Sequence, residues 1–489
     1  MQLRERLIRR GLVTEGDVEE ALARQQAKGG DLGDNLVALG RLSAAKLAVV
    51  KEAPPPIPAD LEATGIMPRN LLGLMLKFMH VEGCETILDL TERLKLPRRL
   101  IQTMLDEAVQ LRLIEVIGAA DNLALTLRYA LGEVGKAAAR EALEQSQYMG
   151  PAPVPLADYQ AQLKKQRISN EALDIEALRK GFEGLVVPDM YLRKMLPAIN
   201  AGRSVLIYGP PGNGKTTLST RIAKIFREEV YIPYAVEASG QIIKIFDKGM
   251  HNPIASGDEH AASAIGLRGE EYDQRWVACT RPVAMAGGEL TLDMLDLQYS
   301  ESTGFYDAPL HVKALNGMFL IDDFGRQNFK PDDLLNRWIV PMESQIDFQK
   351  LHTGASFVLP FDLLLIFSTN LSPADLMDGA FLRRIQYKIK LQSPTRGEYR
   401  QIFDAVAKSR GLAVEEDIFG FIVDRLTRGK FELAYYQPRF ICDQVLEACN
   451  SFRQPPQLTR ELVADALTNL YVDIEVPLDD PAPAVGLAA

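Results

Sequence analysis

The sequence predicts an α/β core of parallel strands with flanking helices over residues 181–395, followed by a helical lid over 396–475. Three segments carry that prediction. "SVLIYGPPGNGKTTLSTRIAKIF" (204–226) runs an apolar strand into a glycine-rich turn and then an amphipathic helix. "GMFLIDDFGR" (317–326) is a short apolar strand ending in two carboxylates, and "FDLLLIFSTN" (361–370) is another that ends in an amide. Short apolar runs bounded by turn residues suit strands buried on both faces of a parallel sheet.

Composition bounds the rest. At 489 residues the chain has room for two to four domains, and a mean hydropathy of −0.06 is ordinary for a globular protein. No apolar run approaches the ~18 residues of a membrane span. The start, "MQLRERLIRRG", lacks the apolar stretch of a secretory signal, so a cytoplasmic protein is expected. The net charge of −10 provides no global attraction to nucleic acid. Cys84, Cys279, Cys442 and Cys449 form no CxxC pair and read as reduced, buried thiols.

Residues 1–50 contain a repeat at an offset of 29, which pairs Leu3 with Leu32, Leu7 with Leu36, Gly11 with Gly40 and Thr14 with Ser43. Each copy reads as a short helix, a glycine stop and a hydroxyl N-cap for the next helix. The block resembles the amino-terminal domain of type II secretion and type IV pilus assembly ATPases. Some members of that family bind cyclic di-GMP through RLGxxL motifs. Here Gln2 and Asp31 take the arginine positions and Arg4 the first glycine, with only Gly33 fitting. A protein-docking module is therefore expected, and cyclic di-GMP binding is not.

"EAPPPIPAD" sets a linker at 51–60, and "GPAPVPLAD" opens a second linker over 149–180. Between them, 61–148 reads as three helices and a strand pair, the pattern of a winged helix. "LPRRLIQTMLDEAVQL" would be its recognition helix, with Arg98, Arg99 and Gln102 at the start. Asp60 to Glu133 carries 11 acidic and 8 basic residues, a local net of −3 that argues against DNA as partner. Residues 476–489 read as a disordered tail.

Within the core, Gly209, Pro210, Pro211, Gly212, Asn213, Gly214, Lys215, Thr216 and Thr217 form a phosphate-binding loop. Its glycines let backbone N–H groups turn inward at the positive end of a helix. Lys215 can reach the β- and γ-phosphates, while Thr216 and Asp322 can hold Mg²⁺. Asp323 can face an attacking water, and Asn370 can help orient it or touch the γ-phosphate. Asp323 is one methylene shorter than glutamate, which withdraws its carboxylate by ~1.5 Å unless the strand advances.

The order of these motifs, with "AFLRRIQYKI" (380–389) and "AYYQPRFICDQV" (434–445) after them, looks like an AAA+ ATPase over roughly 180–475. That resemblance implies ATP and Mg²⁺ as cofactors. It implies Asn370 as sensor 1, Arg383 or Arg384 as the arginine finger acting on a neighbour's nucleotide, and Arg439 as sensor 2. It also implies an adenine pocket at "FEGLVVP" (182–188) and assembly into a ring, commonly a hexamer. A β-rich insert is expected at 227–316, in which Phe305 and Tyr306 match by position a substrate-gripping loop.

These readings point to a ring-forming ATPase, slow because of Asp323. It would remodel or assemble a protein partner recruited by residues 1–150, with a link to pilus or secretion machinery. Two alternatives remain: a nucleotide-dependent DNA-binding regulator that uses the winged helix, and an ATP-bound scaffold without turnover.

Overall fold

The computed structural model describes residues 3–471, leaving aside 10, 45, 48–49, 51–53, 120–126, 172, 255–271 and 377–378. Gln2 and the expected tail at 476–489 lie outside the described residues. No helix among the described residues is long and apolar enough to cross a membrane.

The centre is a five-stranded, all-parallel sheet made of β1 (Val205–Tyr208), β2 (Val283–Ala286), β3 (Met318–Ile321), β4 (Leu364–Thr369) and β5 (Tyr387–Lys390). The spatial order is β5-β1-β4-β3-β2. Period-two alternation sorts its side chains between two cores. Leu206, Phe319, Ile321, Leu365 and Phe367 pack on one face around Trp338. Val205, Ile207, Met318, Leu320 and Ile366 pack on the other against Ile222 and Met195. Burial on both faces is why these strands read as unbroken apolar runs.

Because Val283–Ala286 belongs to this sheet, the expected insert at 227–316 is corrected: it contains a core strand. Around that strand the segment builds a second five-stranded sheet from Gln298–Ser300, Phe305–Asp307, Gln241–Lys244, Ala235–Ala238 and Val154–Pro155. Its hairpin turns at Ser239 and Gly240, both with positive φ, the geometry that matches strand twist. A further hairpin, Ile346–Lys350 with Ser356–Pro360, had no expectation in the sequence.

The linker expected at 149–180 is also corrected, because it holds an edge strand and helices. Val154–Pro155 is an edge strand of the second sheet, a position where a proline removes no ladder bond. Ala152 and Val154 are fully buried, and helix Leu156–Lys165 follows directly. Pro55 O accepts from Asp273 N–H, and Pro58 O accepts from Arg99.

Before these segments, helices Leu3–Arg9 and Leu32–Ala38 stand at the offset of the repeat, and Thr14 caps helix Glu15–Lys28 in a reciprocal box with Asp17. Asp31 caps Leu32–Ala38, its carboxylate accepting from Asp34 N–H at 2.6 Å. Residues 61–148 fold as helices Pro68–Val81, Ile87–Leu94 and Arg98–Gln110, then antiparallel strands Ile114–Ala119 and Leu127–Leu131, then helix Glu133–Gln145. After β5, helices Arg396–Ser409, Glu416–Arg428, Gln437–Ser451 and Arg460–Leu470 surround their own core of Tyr399, Phe403, Phe419 and Ile441.

Two buried guanidinium groups join these parts. Arg275, 2% exposed, pairs with Asp273 and donates to Thr64 O and Pro153 O, both at 3.0 Å. Arg281 pairs with Glu171 at 3.0 Å and donates to Gln166 O and Asn316 O. All four cysteines are buried and free, and burial pushes the Cys279 thiol up to about 12.

Two tests follow from this packing. Arg275→Met strands Asp273 and two carbonyls, so a loss of about 3–5 kcal/mol is expected in urea denaturation followed by tryptophan fluorescence. Adding Asp273→Leu should recover part of that loss. Lys77 donates to Ser146 O and Tyr148 O, and burial pushes its ammonium down to about 8 from 10.5. Between these values the unfolded chain binds the extra proton, so this group makes stability rise with pH. The stability difference between wild type and Lys77→Met is therefore expected to grow in the protein's favour from pH 8 to 10.5, measured by denaturation midpoints.

Candidate active site

The carboxyl ends of β1, β3 and β4 meet where the strand order reverses, which is where α/β sheets form clefts. After β1 the chain turns through Gly209 (φ +149), Gly212 (φ +76) and Gly214 (φ +72) into helix Lys215–Ala223. Two of these glycines are also required by contact. A Cβ on Gly209 would lie 2.2 Å from Leu391 O, and one on Gly212 would lie 2.2 Å from the Tyr436 ring.

Lys215 Nζ donates to Gly209 O at 3.0 Å and Pro210 O at 2.8 Å, folding the lysine back over its own loop. Burial lowers its pKa, while Asp323 and Asp322 work in the opposite direction. The Thr216 hydroxyl donates to Asp322 Oδ2 at 2.7 Å. A hydroxyl and a carboxylate so placed are hard oxygen donors that suit Mg²⁺, which completes its shell with water and phosphate. The loop N–H groups at the helix start suit the phosphates themselves.

Asp323 is not part of β3. It follows the strand in a turn with φ +48, a left-handed conformation that aspartate tolerates better than most residues. The turn is held by Phe324, whose N–H donates to Ser368 O at 2.7 Å and whose carbonyl accepts from the Thr369 hydroxyl at 2.7 Å. The Phe324 ring is fully buried against Phe367. Asn370 Nδ2 then donates to Asp323 Oδ1 at 3.1 Å.

These groups line a cleft of 510 Å³ together with Gly184–Pro188, Tyr191 and Arg439. Its remaining wall comes from Leu391 and Gln392 after β5 and from lid residues including Ile402, Val406, Tyr435 and Tyr436. The sequence reading missed those lid and hinge residues; the "YYQPR" aromatics before the proline were the available signal. Asn213 is 4% exposed, and neither polar atom of its amide has a partner among the described residues.

The expected arginines divide. Arg439 is at the cleft, 74% exposed, with Asp443 3.5 Å away. Arg383 and Arg384 are outside it on helix Gly379–Arg384, with Arg384 Nε 2.6 Å from Glu343. Arg383 is exposed and has no hydrogen bond or ion pair among the described residues. Phe305 and Tyr306 form a strand rather than a substrate loop, which corrects that expectation. Phe305 packs edge-on against Tyr148, while Tyr306 is 1% exposed and bonded through its hydroxyl to His352. At the expected recognition helix, Arg99 is bonded to Pro58 O and Gln102 to Asp106.

Residues 395–469, in the lid, match a family described as a domain of unknown function (DUF8689). No curated protein matches the sequence. Among solved structures, the chain is similar to the Thermotoga maritima RuvB Holliday junction branch migration motor at 17% identity and a TM-score of 0.31, covering 65% of this chain and 72% of that one. It is similar to NtrX from Brucella abortus at 11% identity and a TM-score of 0.36, over 63% and 60% of the two chains. Domain III of the Thermotoga maritima replication initiation protein DnaA is similar at 13% identity and a TM-score of 0.32, over 59% and 95%.

Proposed function

We propose that this chain is an AAA+ ATPase that assembles into a ring and uses ATP hydrolysis to remodel a protein partner. The observation that carries the reading is convergence on one cleft. The P-loop, Asp322, Asp323, Asn370, Arg439 and residues 184–188 come from five separate stretches of sequence and line the same cavity. A nucleotide-holding loop alone would not require the acid–amide pair or the lid arginine.

In this reading Lys215 leaves its loop carbonyls to reach the β- and γ-phosphates, and Thr216 and Asp322 hold Mg²⁺. Bound Mg²⁺ would neutralise charge on the phosphates. Asp323, fixed by Asn370, accepts a proton from the attacking water. The left-handed backbone at Asp323 and its bond to Asn370 set the direction of the shorter carboxylate. Arg439 moves from Asp443 to the phosphates. Arg383 is the candidate finger, since Arg384 is paired with Glu343 in its own chain.

Residues 1–150 would recruit the partner. Leu111, Val116, Ile117 and Leu127, exposed on and beside the paired strands Ile114–Ala119 and Leu127–Leu131, are apolar, which favours a protein over a phosphate backbone there.

Two measurements test the proposal. Turnover per subunit should rise with protein concentration, and Lys215→Ala or Asp323→Asn should lower it by about 10²-fold or more. Tight ATP binding without turnover in assembled rings would instead identify a nucleotide-held scaffold. Arg383→Ala should cut turnover by about 10³-fold with nucleotide binding retained. Arg384→Ala should leave turnover near wild type and cost under about 1 kcal/mol in denaturation, because its ion pair with Glu343 is partly exposed.

A further inference from the structure

The ring of Tyr436 lies directly on the P-loop. A Cβ at Gly212 would meet Tyr436 Cδ1 at 2.2 Å and Cε1 at 2.5 Å, so backbone and ring touch with no room for a methyl group. The phenol at the other end of this ring is tied into the lid. Tyr436 Oη is 3.0 Å from Tyr471 Oη, and Tyr471 Oη also accepts from Gln437 Nε2 at 2.8 Å. Tyr471 is itself fixed by stacking on Phe431 at 3.8 Å.

The chain of contacts continues to the joint between core and lid. Gln437 Nε2 donates to Glu432 O at 2.9 Å, and the Glu432 carboxylate accepts the Ser393 hydroxyl at 2.7 Å. Ser393 lies in the five-residue connection, 391–395, between β5 and helix Arg396–Ser409. Gln392 N–H in the same connection donates to Tyr191 Oη at 3.0 Å, and Leu391 O abuts Gly209. The P-loop thus touches the hinge directly at its first glycine and, at its second, through a tyrosine whose hydroxyl is bonded to Tyr471 of the lid.

We infer that Tyr436 is a positioning residue that couples loading of the P-loop to the set of the lid hinge. The inference rests on the nucleotide site proposed above. For the loop to close on a phosphate, Lys215 must leave Gly209 O and Pro210 O, and the peptides from 209 to 212 must adjust. Any movement of Gly212 toward the ring displaces Tyr436, because the two are already at contact distance. The hydroxyl then transmits the displacement to Tyr471, Gln437 and Glu432, and so to Ser393. Coupling of this kind is reciprocal: a lid held in the loaded position tightens nucleotide binding by the same factor.

Tyr436→Phe and Tyr471→Phe each keep both rings and remove one hydroxyl of the link. Hydrogen exchange at residues 391–409 would be measured in the full chain with and without mant-ADP, beside mant-ADP affinity. With either variant, hinge protection in the absence of nucleotide should match wild type. The gain in protection on adding mant-ADP should fall by about fivefold, the worth of one net hydrogen bond, and affinity by no more than that factor. The double variant should add little to Tyr471→Phe, which already removes the bond to Tyr436 together with the one from Gln437. An undiminished gain in both single variants overturns the coupling while leaving the nucleotide site standing. Equal loss of protection with and without nucleotide also overturns it, because that is what a purely structural role would produce. Failure of the wild type to bind mant-ADP overturns the site and this inference together.

Discussion

The position of β1 between β4 and β5 is the constraint on which the cleft depends. A parallel strand with neighbours on both sides delivers its carboxyl end into a row of others, and here that row supplies unlike groups. From β4 comes Asn370, from β3 the two aspartates, and from β5 the backbone of Leu391 against Gly209. A displaced β1 would separate Thr216 from Asp322 and leave the P-loop lysine without the acids that oppose its burial. Apolar burial on both faces holds the strand there, and its register fixes which residues emerge at the end.

Outside the sheet, segments that share apolar cores are also tied together by a few buried cations. A guanidinium has five donors in a rigid fork, so one arginine can satisfy carbonyls from segments distant in sequence. Arg275 joins the region before the first helix of 61–148, the proline segment and the second sheet; Arg281 does so for the helices of 156–170 and the starts of β2 and β3. Arg6 approaches buried Glu229 at 4.0 Å, placing the amino-terminal helices on the same body. The lid differs. It meets the core through the hinge contacts of Ser393 and Gln392 and the touch of Tyr436 on the P-loop.

Local chemistry made part of this legible. The strand–glycine turn–helix of 204–226, the acids after "MFLI" and the amide after "LLLIFST" are each specified within about ten residues, because backbone freedom and apolar periodicity act at that range. The same holds for the Thr14 cap and the Ser239–Gly240 hairpin. "GPAPVPLAD" was misread for a matching reason. Proline bars helix and central strand but permits an edge strand, and whether an edge is available depends on Ala235–Ala238, some 80 residues away. Phe305 and Tyr306 likewise depended on where Tyr148 and His352 would lie.

What the sequence determined by itself was part of the cleft's polar inventory: the glycine-rich loop with its lysine and hydroxyl, the two carboxylates, the amide and Arg439. What only the tertiary structure decided was their relation. It set Asp323 in a left-handed turn pinned by Phe324, gave Arg384 to Glu343 while leaving Arg383 exposed, and laid Tyr436 over Gly212. The physical reason is range. Conformational preference and side-chain chemistry belong to single residues and their near neighbours, whereas burial, contact and charge pairing are set by strands and helices that meet only after the whole chain has packed.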